Sequence, residues 1–195
     1  MFQQALALDP EDFETNFNLG VLYYESRRDL DKAIHFLKVA INEEQNPTAL
    51  FNLAVIYEEK GERSEAKKAY QEVLKLEPKH YKSKVNLAII LEKEGKSSQA
   101  FDHYQQAAEQ SPSEPRIFQN IGINMKRQGR LDEALDYYKK AIELDPANSV
   151  ILYNTGILFN IRSEYDEAVK TLELSIQKNP ENVYAYLALG DAFER

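Results

Sequence analysis

Apolar residues recur every three or four positions along most of the chain, which is the spacing of one face of an α-helix. Two segments, 115–128 and 131–144, show this stripe clearly: Ile117, Ile121 and Met125 in the first, Ala134, Tyr138 and Ala141 in the second. No segment alternates between apolar and polar residues with the period of two that a half-buried strand requires. The pattern therefore predicts an all-α protein made of amphipathic helices.

Glycine and proline divide this pattern into units of 34 residues. All seven glycines occupy two phases of that period, with Gly20, Gly122, Gly156 and Gly190 in one phase and Gly61, Gly95 and Gly129 in the other. Five of the seven prolines share a third phase: Pro10, Pro78, Pro112, Pro146 and Pro180. Because 34 residues accommodate two helices and two short connections, each repeat is predicted to be a helical hairpin.

The expected helix ends agree with the period. Gly61, Gly95 and Gly129 stand after the first helix of their repeats, where a left-handed residue is needed. Residues suited to begin the first helix precede it: Asp12, Asn46, Asn148 and Asn182. In the first repeat, 25–31 is predicted to be a lengthened turn without a glycine, and 42–47 a shortened link.

A recurring motif identifies the repeat type. The first helices carry NLGVLYY (18–24), NLAVIYE (52–58), NLAIILE (86–92), NIGINMK (120–126) and NTGILFN (154–160). The second helices carry an Ala, an aromatic or leucine and a proline at fixed spacing, for example Ala134, Tyr138 and Pro146. Both patterns resemble the tetratricopeptide repeat family. The resemblance implies an α-solenoid of stacked antiparallel hairpins wound into a right-handed superhelix, with the first helices lining its concave groove.

The resemblance covers the whole chain as one array. It predicts a half repeat at 1–10, a lone first helix at 183–195, and between them five full repeats: 12–46, 47–80, 81–114, 115–148 and 149–182. Both ends look unfinished, so the chain is expected to be a piece of a longer array. An apolar face at Leu187, Leu189 and Phe193 is then expected to be exposed.

Two rows of residues are predicted to line the groove. One row is polar, with Asn18, Asn52, Asn86, Asn120 and Asn154; the other is aliphatic, with Val21, Val55, Ile89, Ile123 and Ile157. An asparagine side chain both donates and accepts hydrogen bonds, so a ladder of them can hold an extended peptide while the aliphatic row buries its side chains. Similar ladders line the groove in O-GlcNAc transferases and in the peroxisomal import receptor. The alternative is that asparagine belongs to the repeat consensus and supports only local helix contacts.

Charge along the predicted groove changes sign. Acidic residues mark the first two repeats, with Glu14, Glu25, Glu58 and Glu59, and basic residues mark the next two, with Lys82, Lys93, Arg116, Lys126 and Arg127. An apolar end follows, with Val150, Tyr153, Ile157 and Ile161. A partner should place basic residues near the acidic end and acidic residues near the basic end. The alternative is that these charges are solvated helix ends.

Composition narrows the function classes. The 195 residues include 24 Lys and Arg against 32 Asp and Glu, a net charge of −8, and no Cys. The charge disfavours nucleic acid and anionic membranes, and the absence of Cys excludes disulfides and thiol chemistry. The three histidines lack metal-ligand spacing, and there is no phosphate-binding glycine loop, so neither metal nor cofactor is predicted.

These observations favour a noncatalytic scaffold or adaptor that binds peptide segments or subunits of a larger assembly in its groove. The alternative is the substrate-recruiting arm of an enzyme, similar to an O-GlcNAc transferase, whose catalytic domain lies outside this chain. A nucleic-acid-binding array of the pentatricopeptide type conflicts with the acidic charge. The expected compartment is the cytoplasm or another reducing intracellular space, and self-association is possible.

Overall fold

The computed structural model describes residues 7–195, which form eleven helices between Phe13 and Phe193 and contain no strand. The helices are α1 (Phe13–Glu25), α2 (Leu30–Glu43), α3 (Pro47–Lys60), α4 (Arg63–Leu76), α5 (Tyr81–Lys93), α6 (Ser97–Gln110), α7 (Pro115–Arg127), α8 (Leu131–Leu144), α9 (Ser149–Ile161), α10 (Tyr165–Lys178) and α11 (Val183–Phe193). The all-α prediction is confirmed for this range. Ala7 and Leu8 are also helical, and residues 1–6 of the predicted half repeat lie outside the described residues.

Consecutive helices pack against each other within two compact units. The unit that ends at Lys93 holds α1 to α5, and the unit that starts at Glu94 holds α6 to α11. In each unit, helical hairpins stack through the second helix of one and the first helix of the next, as α2 does on α3 and α8 on α9. This stacking of antiparallel hairpins confirms the predicted α-solenoid class. The exact division into five repeats and the right-handed winding stay predictions.

The turns inside the hairpins need a left-handed residue, and glycine supplies it at three of them. Gly61, Gly95 and Gly129 have φ values of +84°, +77° and +76°. In two further turns Arg28 and Ser163 adopt this conformation, with φ of 52° and 61°. Left-handed backbone costs a non-glycine residue about 1–2 kcal/mol, so packing of the flanking helices holds these two turns in place.

The first turn is longer than its counterpart, as its sequence predicts. Residues 26–29 separate α1 from α2, whereas only Gly61 and Glu62 separate α3 from α4. The link 44–46 between α2 and α3 is one residue shorter than the link 77–80 between α4 and α5. The turn is two residues longer, and this is compensated by α1, which is one residue shorter than α3, and by the link that follows.

Polar side chains begin the first helices as predicted in three of four cases. Asp12 accepts a hydrogen bond from the Thr15 amide at 2.7 Å. Asn46 and Asn148 each accept from two amides of the first turn that follows, at 3.0–3.3 Å. Asn182 occupies the same position before α11, but its side chain makes no such bond. These caps set where the first helices start, and hence which residues share a face.

Small residues at the motif position let the two helices of a hairpin approach closely. A methyl group added to Gly20, Gly122 or Gly156 would lie 2.5–2.6 Å from a side-chain carbon of the second helix. The side chains that fill this space are Leu37, Tyr138 and Leu172, and all three are fully buried. Close packing at this position fixes the spacing of the hairpin.

The last helix corrects one sequence-based expectation. Leu187 and Phe193 on α11 are exposed as predicted, at 62% and 66%. Leu189 is instead partly buried, because it packs against the cluster of Ala168 and Leu172 on α10. The exposed apolar face of α11 therefore includes Leu187 and Phe193 but excludes Leu189.

Candidate peptide-binding surface

The two predicted rows lie on the first helix of each hairpin. An asparagine and the aliphatic residue three positions later, such as Asn52 and Val55, share one helix face. In the unit up to Lys93, Asn18 is exposed, and the remaining row residues are half-buried: Val21, Asn52, Val55, Asn86 and Ile89. These side chains are thus partly open to solvent while their bases rest on the core.

Three of these row residues, Val21, Asn52 and Val55, meet in one concavity, which we call the α1–α3 pocket. It has a volume of about 70 Å³. Its lining comprises Val21, Tyr24 and Glu25 of α1, Leu37 of α2, and Asn52, Val55 and Ile56 of α3. The structure therefore brings part of the predicted surface together in the form of a small, mainly apolar recess.

The two carboxylates near the edge of this pocket, Glu59 and Glu25, differ in whether a cation pairs with them. A hydrogen bond to the Glu59 carboxylate, with burial of the ring, raises the pKa of Tyr24. Glu59 also forms an ion pair with Arg28, at 3.5 Å between Oε1 and Nη1. Glu25 is exposed and takes part in no ion pair among residues 7–195. Glu25 is therefore the available negative charge of the pocket.

Asn86 uses its amide inside the protein. Its Nδ2 donates to the hydroxyl of Tyr70 at 2.8 Å, and that hydroxyl donates to Glu58 Oε2 at 2.8 Å. The hydrogen-bond chain joins α3, α4 and α5, and Tyr70 is fully buried. For Asn86 and Glu58 this favours the alternative of a structural role, because the Asn86 nitrogen and the Glu58 oxygen in the chain already have partners.

The rows of the second unit are arranged differently. Asn120, Ile123, Asn154 and Ile157 are all half-buried. The Nδ2 of Asn120 is buried and has no hydrogen-bond partner among the described residues, and Asn154 makes no side-chain hydrogen bond there. Ile157 packs with Tyr153 against the α10–α11 cluster. These amides do not support a helix contact of the kind that Asn86 makes.

The predicted basic site residues of the second unit, Arg116, Lys126 and Arg127, do not form a single patch. Lys82 lies on α5 of the first unit, whereas Arg116 lies in the first turn of α7 and Lys126 and Arg127 in its last turn. Lys126 follows Arg116 by ten positions along the helix, which is a rise of about 15 Å. Lys82, Arg116 and Arg127 are exposed, whereas burial, with the nearby charge of Arg127, lowers the pKa of the half-buried Lys126.

Sequence reasoning missed three lining residues of the α1–α3 pocket: Tyr24, Leu37 and Ile56. Tyr24 lies one helical turn after the motif glycine, at the repeat position of Glu58 and Lys126, so side chains at that position vary widely in kind. Leu37 carries the packing role of the buried tyrosines, and Ile56 is core, so neither stands out as a binding residue. Of the three residues, only Tyr24 could have been predicted at the surface, from its position one helical turn after the motif glycine.

Other kinds of site find no support in the part of the chain that the structure describes. No group of three or more His, Asp or Glu side chains is placed to hold a metal ion. Among the helices from α1 to α11, none has the length and apolar character needed to cross a bilayer.

The hairpins and their motifs define a helical-repeat protein, and comparison of sequences identifies the family. Models of the tetratricopeptide repeat match residues 1–35, 47–80, 81–147 and 137–170. The chain belongs to the tetratricopeptide repeat family.

Solved structures share this fold. YrrB, described as a TPR protein with an unusual peptide-binding site, is 24% identical, with 96% of each chain covered and a TM-score of 0.73. MamA is 25% identical over 74% of this chain and 85% of its own, with a TM-score of 0.70. A tetratricopeptide repeat protein of Parabacteroides merdae is 21% identical over 93% and 72%, with a TM-score of 0.81. No curated protein gave a sequence match.

Proposed function

We propose that this protein is a noncatalytic scaffold or adaptor that binds segments of other proteins on the surface of its first helices. The observation that carries this proposal is the α1–α3 pocket, where Val21, Asn52 and Val55 meet around a recess of about 70 Å³. A small apolar recess beside polar groups suits the side chain of an extended segment, since alternate side chains of such a segment point toward its binding surface. The peptide-binding site of YrrB makes the same kind of ligand plausible for this chain.

The chemistry of the surface favours a protein over a polyanion as partner. With 32 acidic against 24 basic residues, the chain repels phosphate backbones and anionic lipid. The basic residues of α7 are also divided between its two ends. We infer that binding depends on apolar contacts and hydrogen bonds, and that RNA binding, measured as a control, is absent at physiological salt.

Peptides selected on the full chain test this proposal. Random dodecapeptides displayed on phage would be selected, synthesised and measured by fluorescence polarisation. Val55→Arg places a long charged side chain in the pocket, and we expect it to weaken binding by about tenfold or more. Gln71→Arg on the exposed face of α4 adds the same charge to the same unit and serves as the control.

The two variants should share the circular dichroism and thermal unfolding of the parent. Loss of affinity with Val55→Arg and not with Gln71→Arg supports binding on the first helices. Selected peptides that tolerate Val55→Arg, or a failure to select any peptide, would show that this surface does not bind protein segments.

A further inference from the structure

The α1–α3 pocket has the dimensions of one narrow side chain. Its volume of about 70 Å³ is far below the roughly 300–1,000 Å³ of small-molecule sites. It is several times the roughly 10–15 Å³ that a single water requires. A ligand of the pocket is therefore a protruding group of a larger molecule, such as a side chain.

The inner surface of the pocket is aliphatic. Leu37 and Ile56 are at most 1% exposed and form its base, and the half-buried Val21 and Val55 come from the facing helices α1 and α3. Methylene groups placed against these side chains lose contact with water, which favours binding. The base of the pocket thus favours a hydrocarbon group.

The polar part of the pocket carries negative charge. Glu25 is the one carboxylate among its lining residues, and no described residue neutralises it by an ion pair. Arg28 stacks on Tyr24, with its guanidinium carbon 5.5 Å from the ring centroid, but its charge is opposed by Glu59. Residues 1–60 carry eleven acidic against five basic side chains, so the surrounding field favours a cation.

We propose that the α1–α3 pocket receives a lysine side chain of a bound protein segment. Lysine combines a narrow stem of four methylene groups with a compact ammonium that fits a recess of this size, whereas the planar guanidinium of arginine is broader and pairs best with a bidentate partner. The stem lies against Val21, Leu37 and Val55, and the ammonium donates to the Glu25 carboxylate and the Asn52 amide oxygen. This inference rests on the proposed function and gives the partner its chemistry.

A double-mutant cycle on a selected dodecapeptide tests the proposal. Each lysine of the peptide is replaced in turn by norleucine, which keeps the stem and removes the ammonium. At one position we expect affinity for the parent protein to fall by about tenfold, on the scale of one hydrogen-bonded charge pair. Glu25→Gln should weaken the lysine peptide equally and leave the norleucine peptide unaffected.

A matched control separates local pairing from net charge. Glu43→Gln removes one exposed carboxylate from the end of α2 in the same unit, outside the pocket and outside the predicted groove, and should change affinity for either peptide less than twofold, as expected for a screened remote charge. An additional lysine-to-arginine peptide should bind less tightly than the lysine peptide.

The outcomes distinguish this inference from the proposed function. If selected peptides lose affinity with Val55→Arg but contain no required lysine, or if Glu25→Gln acts equally on the lysine and norleucine peptides, the lysine pocket is wrong and the binding surface stands. If no selected peptide responds to Val55→Arg, the proposed function fails and the pocket proposal fails with it.

Discussion

Two hairpins with the same repeat positions, α3–α4 in the first unit and α7–α8 in the second, differ in how they treat a buried tyrosine. Tyr70 joins Glu58 and Asn86 by hydrogen bonds of 2.8 Å. In the second unit Lys126 occupies the repeat position of Glu58. Asn154 occupies the repeat position of Asn86 and makes no side-chain hydrogen bond among the described residues. An asparagine at the same repeat position therefore supports the fold in one unit and makes no such contact in the other.

The packing of the two tyrosines differs as well. The first hairpin has Ala54 at the motif position, whereas the second has Gly122. A methyl carbon added at Gly122 would lie only 2.5 Å from Tyr138 Cε1. Tyr138 thus lies against the backbone of α7. The same arrangement of helices therefore accommodates different polar contacts around the buried tyrosine. Asparagines at the same repeat position can differ in whether they form a hydrogen bond inside the protein.

The largest expected effect comes from breaking the close contact in the second hairpin. Gly122→Ala forces its methyl into the fully buried ring of Tyr138. We expect it to lower the free energy of unfolding in urea by about 1–3 kcal/mol, which is typical of overpacking. Gly190→Ala meets no atom within 4 Å and should instead raise stability by about 0.5–1 kcal/mol through helix propensity. Equal signs for the two variants would contradict the close contact.

The hydrogen-bond chain is tested by paired asparagine variants. Asn86→Ala removes the donor to Tyr70 and should lower the free energy of unfolding by about 1–2 kcal/mol. Asn154→Ala removes no such bond and should stay within about 0.5 kcal/mol of the parent, since alanine favours the helix. If the two variants were equally destabilising in urea titrations, the structural role assigned to Asn86 would be incorrect.

The turns extend the comparison to neighbouring hairpins of the second unit. Ser163 has a φ of 61° where the α7–α8 turn has Gly129 at 76°. Ser163→Gly should raise the free energy of unfolding by about 1 kcal/mol, because glycine adopts the left-handed conformation freely. The reverse change, Gly129→Ser, should lower it by a similar amount, and thermal melts that show neither shift would argue against strain at Ser163.

A smaller, pH-dependent effect is expected at Lys126. Burial lowers its pKa in the folded protein below the ordinary value of 10.5, so the folded state disfavours the charged form. Lys126→Met should therefore raise stability at pH 7, by less than about 1 kcal/mol since the side chain is only half-buried.

The sign of the pH dependence follows from proton binding. Between the lowered pKa and 10.5 the unfolded chain binds more protons than the folded one, so the parent gains stability as pH rises. The advantage of Lys126→Met should then shrink across that interval. Lys93→Met, at an exposed position of α5, provides the control. An advantage that is constant with pH would contradict the desolvated amine.

Much of the fold follows from sequence because the repeat imposes local requirements. Left-handed turns and helix caps each depend on residues within about one helical turn, so the residue type at a single position is enough to predict them. This holds for the turns at Gly61, Gly95 and Gly129 and for the caps at Asp12, Asn46 and Asn148. The left-handed conformations of Arg28 and Ser163 could not be predicted in this way, because neither residue type is typical of that conformation.

The candidate site was less predictable because it depends on partners distant in sequence. The regular spacing of the asparagines predicts which helix face carries Asn86, but it cannot show that the Nδ2 of Asn86 donates a hydrogen bond to Tyr70. The depth of the α1–α3 pocket depends on how Tyr24 and Leu37 fill the space between helices. Leu189 was expected on an exposed face, and its packing against the α10–α11 cluster is a contact between helices that periodicity alone does not reveal.

Methyl NMR gives the most direct test of the central claim, that the first helices bind protein segments. The full chain, labelled at isoleucine and valine methyls, would be titrated with a dodecapeptide selected on it. Our account predicts shift changes among the first-helix methyls, Val21, Val55, Ile89, Ile123 and Ile157, and none among second-helix methyls such as Val39, Ile142, Val169 and Ile176. Shifts confined to the second-helix set, or saturating binding that moves neither set, would contradict it.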